Sequence, residues 1–258
     1  MFYLILVGGM LCAYLSGSVS YARIFARLGK GVDITHLGNG NPGTSNVMRN
    51  VGKFWGTLTL LGDALKGSLV MMLFKALFFS PKALYPVEGP FAGAGFAAIV
   101  LIGIAAIYGH GYPVFYRFRG GGSIGVLFGC WLFLIYPQFL IHIVIAYMIV
   151  KLFLRKQKYP MGRMTPLVFL ILTPLLTLLE SLLIRDWHPL YPQSLLFDHI
   201  GWGNHFLQFD GNGWLLIAGL FLFSLSVIPT NLSLLKNVIL PGKGKIGEPD
   251  TETKQEGV

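Results

Sequence analysis

Three stretches of this chain carry side chains whose types and spacing suit chemistry on an anion. The first is "GKGVDITHLGNGNPGTSNVMRNVGKFWG", residues 29–56. Gly38, Gly40 and Gly43 let successive backbone amides turn into one concavity, the arrangement that holds phosphate. Asn39, Asn41, Thr44, Ser45 and Asn46 add neutral donors in the same stretch. Arg49 follows, with a planar fork that matches a phosphate edge. A simple helix connector needs about two to eight residues, far fewer than this segment has.

The second stretch is "DALKG", residues 63–67. Asp63 and Lys66 stand three apart inside an otherwise apolar run, which puts them on one helix face. Charges inside such a run are costly and turn toward the protein interior or a polar cavity. Two roles are open to them: an ion pair that fixes this helix to its neighbours, and a part in holding substrate. The third stretch is "YGHGYPVFYRFRGGGSIG", residues 108–125. His110 offers an imidazole for proton transfer or for orientation. Arg117 and Arg119 precede a second flexible run, Gly120, Gly121 and Gly122.

The elements that must position these groups are membrane helices. Of 258 residues, 54% are hydrophobic and 12% charged, with a mean hydropathy of +0.64. A soluble domain carries about 25% charged residues, so neither a water-facing globule nor a disordered chain fits. Cys12 and Cys130 both lie in apolar runs and form no metal or redox motif. Apolar segments at 2–19, 54–79, 91–115, 124–136, 139–153, 166–184 and 214–228 predict an all-α polytopic membrane protein with seven transmembrane helices.

The net charge of +9 raises nucleic acid as a partner, but the placement of the charges argues against it. Arg23, Arg27, Lys30, Arg49 and Lys53 lie after the first segment, Arg117 and Arg119 after the third, and Lys151, Arg155, Lys156, Lys158 and Arg163 after the fifth. All fall on one side only if the chain reverses at Pro137–Gln138. Basic loops collect in the cytoplasm, so the N-terminus is expected outside and the C-terminus inside. Both glycine-rich loops then share the cytoplasmic face.

Residues 1–240 read as a single membrane domain, with an external loop at 185–213 and a disordered tail at 241–258. The loop holds His188, His199 and His205 with Asp198, at spacings that match no metal signature, so no metal is expected. Together these features predict an anion pocket at the cytoplasmic surface with access from the bilayer. An enzyme of phospholipid metabolism fits, and so does a transporter for a phosphorylated solute. The lack of an internal repeat favours the enzyme.

The same residues resemble a known family, the bacterial acyl-phosphate:glycerol-3-phosphate acyltransferases. Gly17-Ser18-Val19 matches the family's Gly-Ser-Ile/Val at the end of the first helix, and Lys30 to Asp33 its K-G-x-D. Its first motif, G-S-G-N-x-G-A-T-N-x-x-R-x-x-G, is matched by "GNGNPGTSNVMRNVG" at 38–52, and its D-x-x-K-G by "DALKG". Its second, G-H-x-x-P-V-F-x-x-F-K-G-G-K-G, is matched by "GHGYPVFYRFRGGGS" at 109–123. The match is strong over residues 12–130. Beyond them only Asn231, in "IPTNLSLLK" at 228–236, keeps a place in the C-terminal H-R-x-N-I-x-R-L motif. Asn39 stands for the family's serine and Gly122 for its lysine.

The resemblance implies seven spans, an external N-terminus and a site facing the cytoplasm of a bacterial inner membrane. It implies transfer of an acyl group from acyl phosphate to the sn-1 hydroxyl of glycerol 3-phosphate, giving lysophosphatidate. The partners implied are these two substrates and the membrane lipids around a monomer, with no nucleic acid and no cofactor. The implied catalytic residues are Arg49, His110, Ser45 and Asn46. The implied substrate-binding residues are Gly38, Asn39, Gly40, Asn41, Gly43, Thr44, Lys66, Arg119, Gly120, Gly121 and Asn231, with Asp63 structural. An acyltransferase with a changed substrate and a non-catalytic anionic-lipid-binding protein share the same motifs.

Overall fold

The computed structural model describes residues 1–79, 83–89, 94–153, 161–183 and 214–231. The stretch at 185–213 expected to form an external loop, with its three histidines, the tail at 241–258 and most of the basic stretch after the fifth segment lie outside these residues. All regular structure among the described residues is helical. Seven apolar helices follow the seven segments: α1 (Phe2–Ser18), α4 (Lys53–Phe78), α5 (Gly95–Gly111), α6 (Ile124–Leu134), α7 (Tyr136–Phe153), α8 (Met161–Leu183) and α9 (Trp214–Val227). Three stretches, Phe2–Lys30, Lys53–Phe78 and Gly95–Tyr116, are long and apolar enough to cross a membrane.

Two further helices, α2 (Tyr21–Lys30) and α3 (Thr44–Asn50), lie inside the first loop. α2 is amphipathic: Ala22 and Ala26 are buried, while Arg27 and Lys30 occupy its last turn, where cations favour the helix dipole. Gly31 ends it in the left-handed conformation at φ 68°, with its N–H on the Arg27 carbonyl. The Lys30 ammonium donates to the Asn50 carbonyl at 2.6 Å and so closes α3 from outside.

Small residues let the long helices approach. A Cβ at Gly17 would lie 2.2 Å from the Ala106 carbonyl, and one at Gly109 2.2 Å from the Tyr14 carbonyl. The α1–α5 crossing is therefore backbone against backbone, a packing suited to lipid, where apolar burial gives little drive for association. Gly129 on α6 meets the Ala64 carbonyl of α4 in the same way. Around these contacts Met71, Ile102, Ile107, Leu127, Trp131, Phe169 and Phe223 form the core.

Between α6 and α7 the chain folds sharply at Ile135. The rings of Phe128 and Phe139 lie 5.7 Å apart across eleven residues, whereas a straight helix would separate those positions by about 16 Å. The break comes two residues before the expected Pro137. Proline sits instead in the first turn of α7, where its missing N–H leaves no carbonyl unpaired.

Pro174 lies inside α8 and cannot donate to the Leu170 carbonyl. The Ser224 hydroxyl of α9 reaches that carbonyl across the helix interface at 3.0 Å and shares its proton with the Leu220 carbonyl at 3.1 Å.

Candidate functional site

The first loop is held by its own side chains. Asp33 accepts from the Thr35 amide at 3.0 Å and from the Thr35 hydroxyl at 2.8 Å. Asn46 is 2% exposed, and its amide donates to the carbonyls of Leu37 at 2.8 Å and Ile34 at 3.2 Å. Its oxygen accepts from Asn50 at 2.7 Å. Asn46 thus closes the loop from beneath rather than facing outward. Gly38, at φ 56°, passes so close that a Cβ there would stand 2.4 Å from the Asn46 oxygen. Asn39 accepts from the Asn41 amide at 3.3 Å, a local turn that leaves both side chains exposed with Ser45 and Arg49. Gly40, Gly43 and Thr44 are partly exposed along the same edge.

The second loop follows α5 and is tied to the first helix pair. Tyr14 donates to the Tyr112 carbonyl at 2.7 Å. Arg117, Phe118 and Ser123 all have positive φ, at 52°, 59° and 57°. Such backbone costs about 1–3 kcal/mol per residue and persists only where the surroundings impose it. Around Arg117 and Phe118, Arg23 of α2 stacks 4.6 Å from the Tyr116 ring centroid and donates to the Arg119 carbonyl at 3.0 Å, while the Ser123 hydroxyl donates to the Ile107 carbonyl at 2.9 Å. The Arg119 side chain itself is exposed.

Gly120, Gly121 and Gly122 then run back under the end of α5. The Gly121 amide donates to the His110 carbonyl at 3.2 Å. A Cβ at Gly121 would lie 2.5 Å from His110 Nε2 and 2.8 Å from the Pro42 carbonyl, so imidazole and both loops meet at this one point. A Cβ at Gly120 would strike the His110 carbonyl at 2.0 Å. Asn231 donates to the Gly122 carbonyl, and to the Val227 carbonyl at 3.0 Å. Four of the expected residues, His110, Gly120, Gly121 and Asn231, are thereby brought into one region beside Pro42 of the first loop.

Beneath them lies the charged pair. Asp63, Lys66 and His110 are 2%, 4% and 6% exposed. Lys66 Nζ stands 3.0 Å from Asp63 Oδ1, 2.7 Å from His110 Nδ1 and 2.8 Å from the Val19 carbonyl. Lys66 thus hydrogen-bonds Val19 and His110 and stands in ion-pair range of Asp63, so it holds α4, α5 and the end of α1 together. Ser16 adds a bond from α1 to the Lys66 carbonyl at 3.0 Å.

Sequence reasoning placed Arg23 only among the loop charges, and Lys30 there and in the K-G-x-D match. The period of Ala22 and Ala26 against Arg23, Arg27 and Lys30 is the signal that shows α2 and gives those side chains a direction.

A family model described as glycerol-3-phosphate acyltransferase matches residues 7–202. A glycerol-3-phosphate acyltransferase of Azotobacter vinelandii is 35% identical over 207 residues, 80% of this chain and 93% of its own length. One from Pseudomonas putida is 33% identical over 192 residues, 74% of this chain and 88% of its own. The crystal structure of PlsY (YgiH), an integral membrane glycerol 3-phosphate acyltransferase in its glycerol 3-phosphate form, shares the fold. It superposes with a TM-score of 0.60 at 19% identity, covering 94% of this chain and 96% of that one. The chain described here belongs to the glycerol-3-phosphate acyltransferase family.

Proposed function

We propose that this chain transfers an acyl group from acyl phosphate to the sn-1 hydroxyl of glycerol 3-phosphate, giving lysophosphatidate. The observation that carries the reading is the meeting of both glycine-rich loops at His110, in a chain of this family. The hydroxyl oxygen attacks the acyl carbonyl carbon, the carbon–oxygen bond to phosphate breaks, and phosphate leaves with the hydroxyl proton. Acyl phosphate is already activated, so the step calls for orientation and charge stabilisation rather than a cofactor. Exposed Arg49, with Gly38, Gly40, Asn41, Gly43, Thr44 and Ser45, is assigned to substrate phosphate and hydroxyl. His110 orients, and Asn46 and Asp63 hold the frame.

The same reading gives one domain over residues 1–240 with seven spans, N-terminus outside and C-terminus inside, in a bacterial inner membrane with the site toward the cytoplasm. The sharp fold at Ile135 supports it, because only a reversal there keeps every basic loop on one side. Cysteines introduced at positions 157 and 244 are expected to resist an impermeant thiol reagent applied from outside, and labelling at 157 alone would overturn the arrangement.

The test of activity is purified protein supplied with acyl phosphate and glycerol 3-phosphate. Lysophosphatidate is the expected product. Arg49→Lys keeps charge but loses the fork, and is expected to lose roughly 10- to 100-fold in turnover while staying folded. Arg49→Ala loses more. Turnover indifferent to Arg49 would remove it from the phosphate.

A further inference from the structure

His110 has two nitrogens with different surroundings. Nδ1 lies 2.7 Å from Lys66 Nζ and 3.5 Å from Asp63 Oδ1. Nε2 is the nitrogen against Gly121, on the side of the Pro42 carbonyl. An ammonium has only donors, so a lysine kept charged by Asp63 at 3.0 Å can meet Nδ1 in one way: it donates, and Nδ1 accepts. The single ring proton of a neutral imidazole then sits on Nε2, facing the point where the two loops meet.

We propose that Lys66 is a positioning residue that fixes His110 as the Nε2–H tautomer, so that His110 presents a hydrogen-bond donor to the substrates and is not their general base. The lone pair a base would need is on Nδ1 and is consumed by Lys66. The donor is directed where a phosphate or a developing carbonyl oxyanion would lie between the glycine-rich loops. This rests on the acyltransferase reading for what the donor meets, but not for where the proton sits.

Asp63 and Lys66, both on α4, are the charged side chains that the described contacts place against the ring. From the second loop it is faced by backbone at Gly121, beside the Pro42 carbonyl of the first loop. If Lys66 were removed, Nδ1 would be free to carry the proton and donate to Asp63. That alternative tautomer would turn the Nε2 lone pair toward the loops, which is the arrangement of a base. The charge on Lys66 therefore decides which of two chemistries the imidazole offers.

The first experiment reads the proton directly, by nitrogen NMR of full-length protein labelled on its histidine ring nitrogens. The His110 signals are assigned by their loss in His110→Gln. The expected spectrum has a protonated Nε2 and an unprotonated Nδ1. A protonated Nδ1 in the parent protein would overturn the proposal. Lys66→Met strands Asp63 and is prone to misfold, so Asp63→Asn/Lys66→Met is measured beside it. Loss of the Nε2–H preference in the double variant is expected, and an unchanged preference would overturn the role of Lys66.

The second experiment separates donor from base in turnover. The side-chain amide of Gln reaches the Nε2 position and can donate, but it cannot accept a proton. His110→Gln is expected to keep turnover within about 10-fold of the parent, and His110→Leu to lose roughly 100-fold. Equal loss in Gln and Leu would overturn the donor role. Failure of the parent to make lysophosphatidate would count against the activity alone, since the NMR result stands without it.

Discussion

Arg23 lays its guanidinium 4.6 Å from the centroid of the Tyr116 ring, joining α2 to the strained loop after α5. The same group reaches Asp33 at 3.7 Å and the Arg119 carbonyl at 3.0 Å, so one side chain spans both glycine-rich loops. Lysine could replace the charge but neither the stack nor the fork. Arg23→Lys is expected to raise the KM for glycerol 3-phosphate several-fold with a small loss of kcat, because it loosens the loops without touching the imidazole. Steady-state kinetics checks this, and an unchanged KM would show that the loop holds its left-handed residues without Arg23.

Asp33 carries a prediction in pH. The Thr35 amide, and then the Thr35 hydroxyl, Arg23 and Arg27, hold its carboxyl below the usual carboxylate range against the opposing effect of burial. The folded value is depressed, so the folded state binds fewer protons here than the unfolded chain does. The contribution is complete above the ordinary carboxylate value and is lost as pH falls through the folded one. Asp33→Asn should therefore be less stable than the parent near neutrality, with the gap closing as the solution is acidified below about pH 4. Thermal unfolding at several pH values reads the gap.

How much of this was legible in the sequence follows from what the chain spends on each element. The apolar helices announce themselves by composition, and the stretches Phe2–Lys30, Lys53–Phe78 and Gly95–Tyr116 by length as well. α2 was not seen, since its ten residues add to the basic count and their amphipathic period was passed over. The site residues were found by type but not by direction. Asn46 reads as a donor toward substrate, yet it serves the loop, because buried carbonyls at Ile34 and Leu37 need partners more than the surface does. Lys66 reads as a substrate cation, and only coordinates show it turned to Val19, His110 and Asp63. Spacing can place a group on a face, but it cannot count the acceptors around it.

Ser224 and Pro174 form a compensating pair across α8 and α9. The Leu170 carbonyl lacks an intrahelical donor because of Pro174, and the Ser224 hydroxyl, shared with the Leu220 carbonyl, reaches it at 3.0 Å. Ser224→Ala is expected to cost about 1–2 kcal/mol, the penalty of leaving a buried acceptor unpaired. Adding Pro174→Ala returns an N–H to the helix and should recover most of that loss. Unfolding in mild detergent measures the cycle, and additive losses would show that water reaches Leu170.

Asp63 and Lys66 make a stability prediction separate from their effect on His110. Both side chains are under 5% exposed, so removing one strands the other away from water. Lys66→Met alone is expected to cost about 3–5 kcal/mol. Asp63→Asn/Lys66→Met removes both burial costs together and should be clearly more stable than the single variant. Equal and negligible losses would place the pair in water and contradict its burial.

Gly122 and Asn231 offer the last test, because the structure gives the family's missing lysine a physical reason. A Cβ at Gly122 would lie 2.4 Å from the Asn231 side-chain oxygen, while the Asn231 amide donates to the Gly122 carbonyl and to the Val227 carbonyl. Asn231 therefore occupies the space a side chain at 122 would enter. Gly122→Ala should push Asn231 from its two acceptors and cost about 1–2 kcal/mol, and Gly122→Lys should do the same or worse. Asn231→Ala also loses those bonds but leaves the space open. The double variant Gly122→Ala/Asn231→Ala is then expected to be no less stable than Asn231→Ala alone, a non-additive cycle of the kind two touching residues produce. If the two losses simply add, Gly122 is not held small by Asn231. If they do not, a lysine at 122 becomes tolerable only beside a smaller residue at 231, and Gly122→Lys/Asn231→Ala should recover turnover that Gly122→Lys alone has lost.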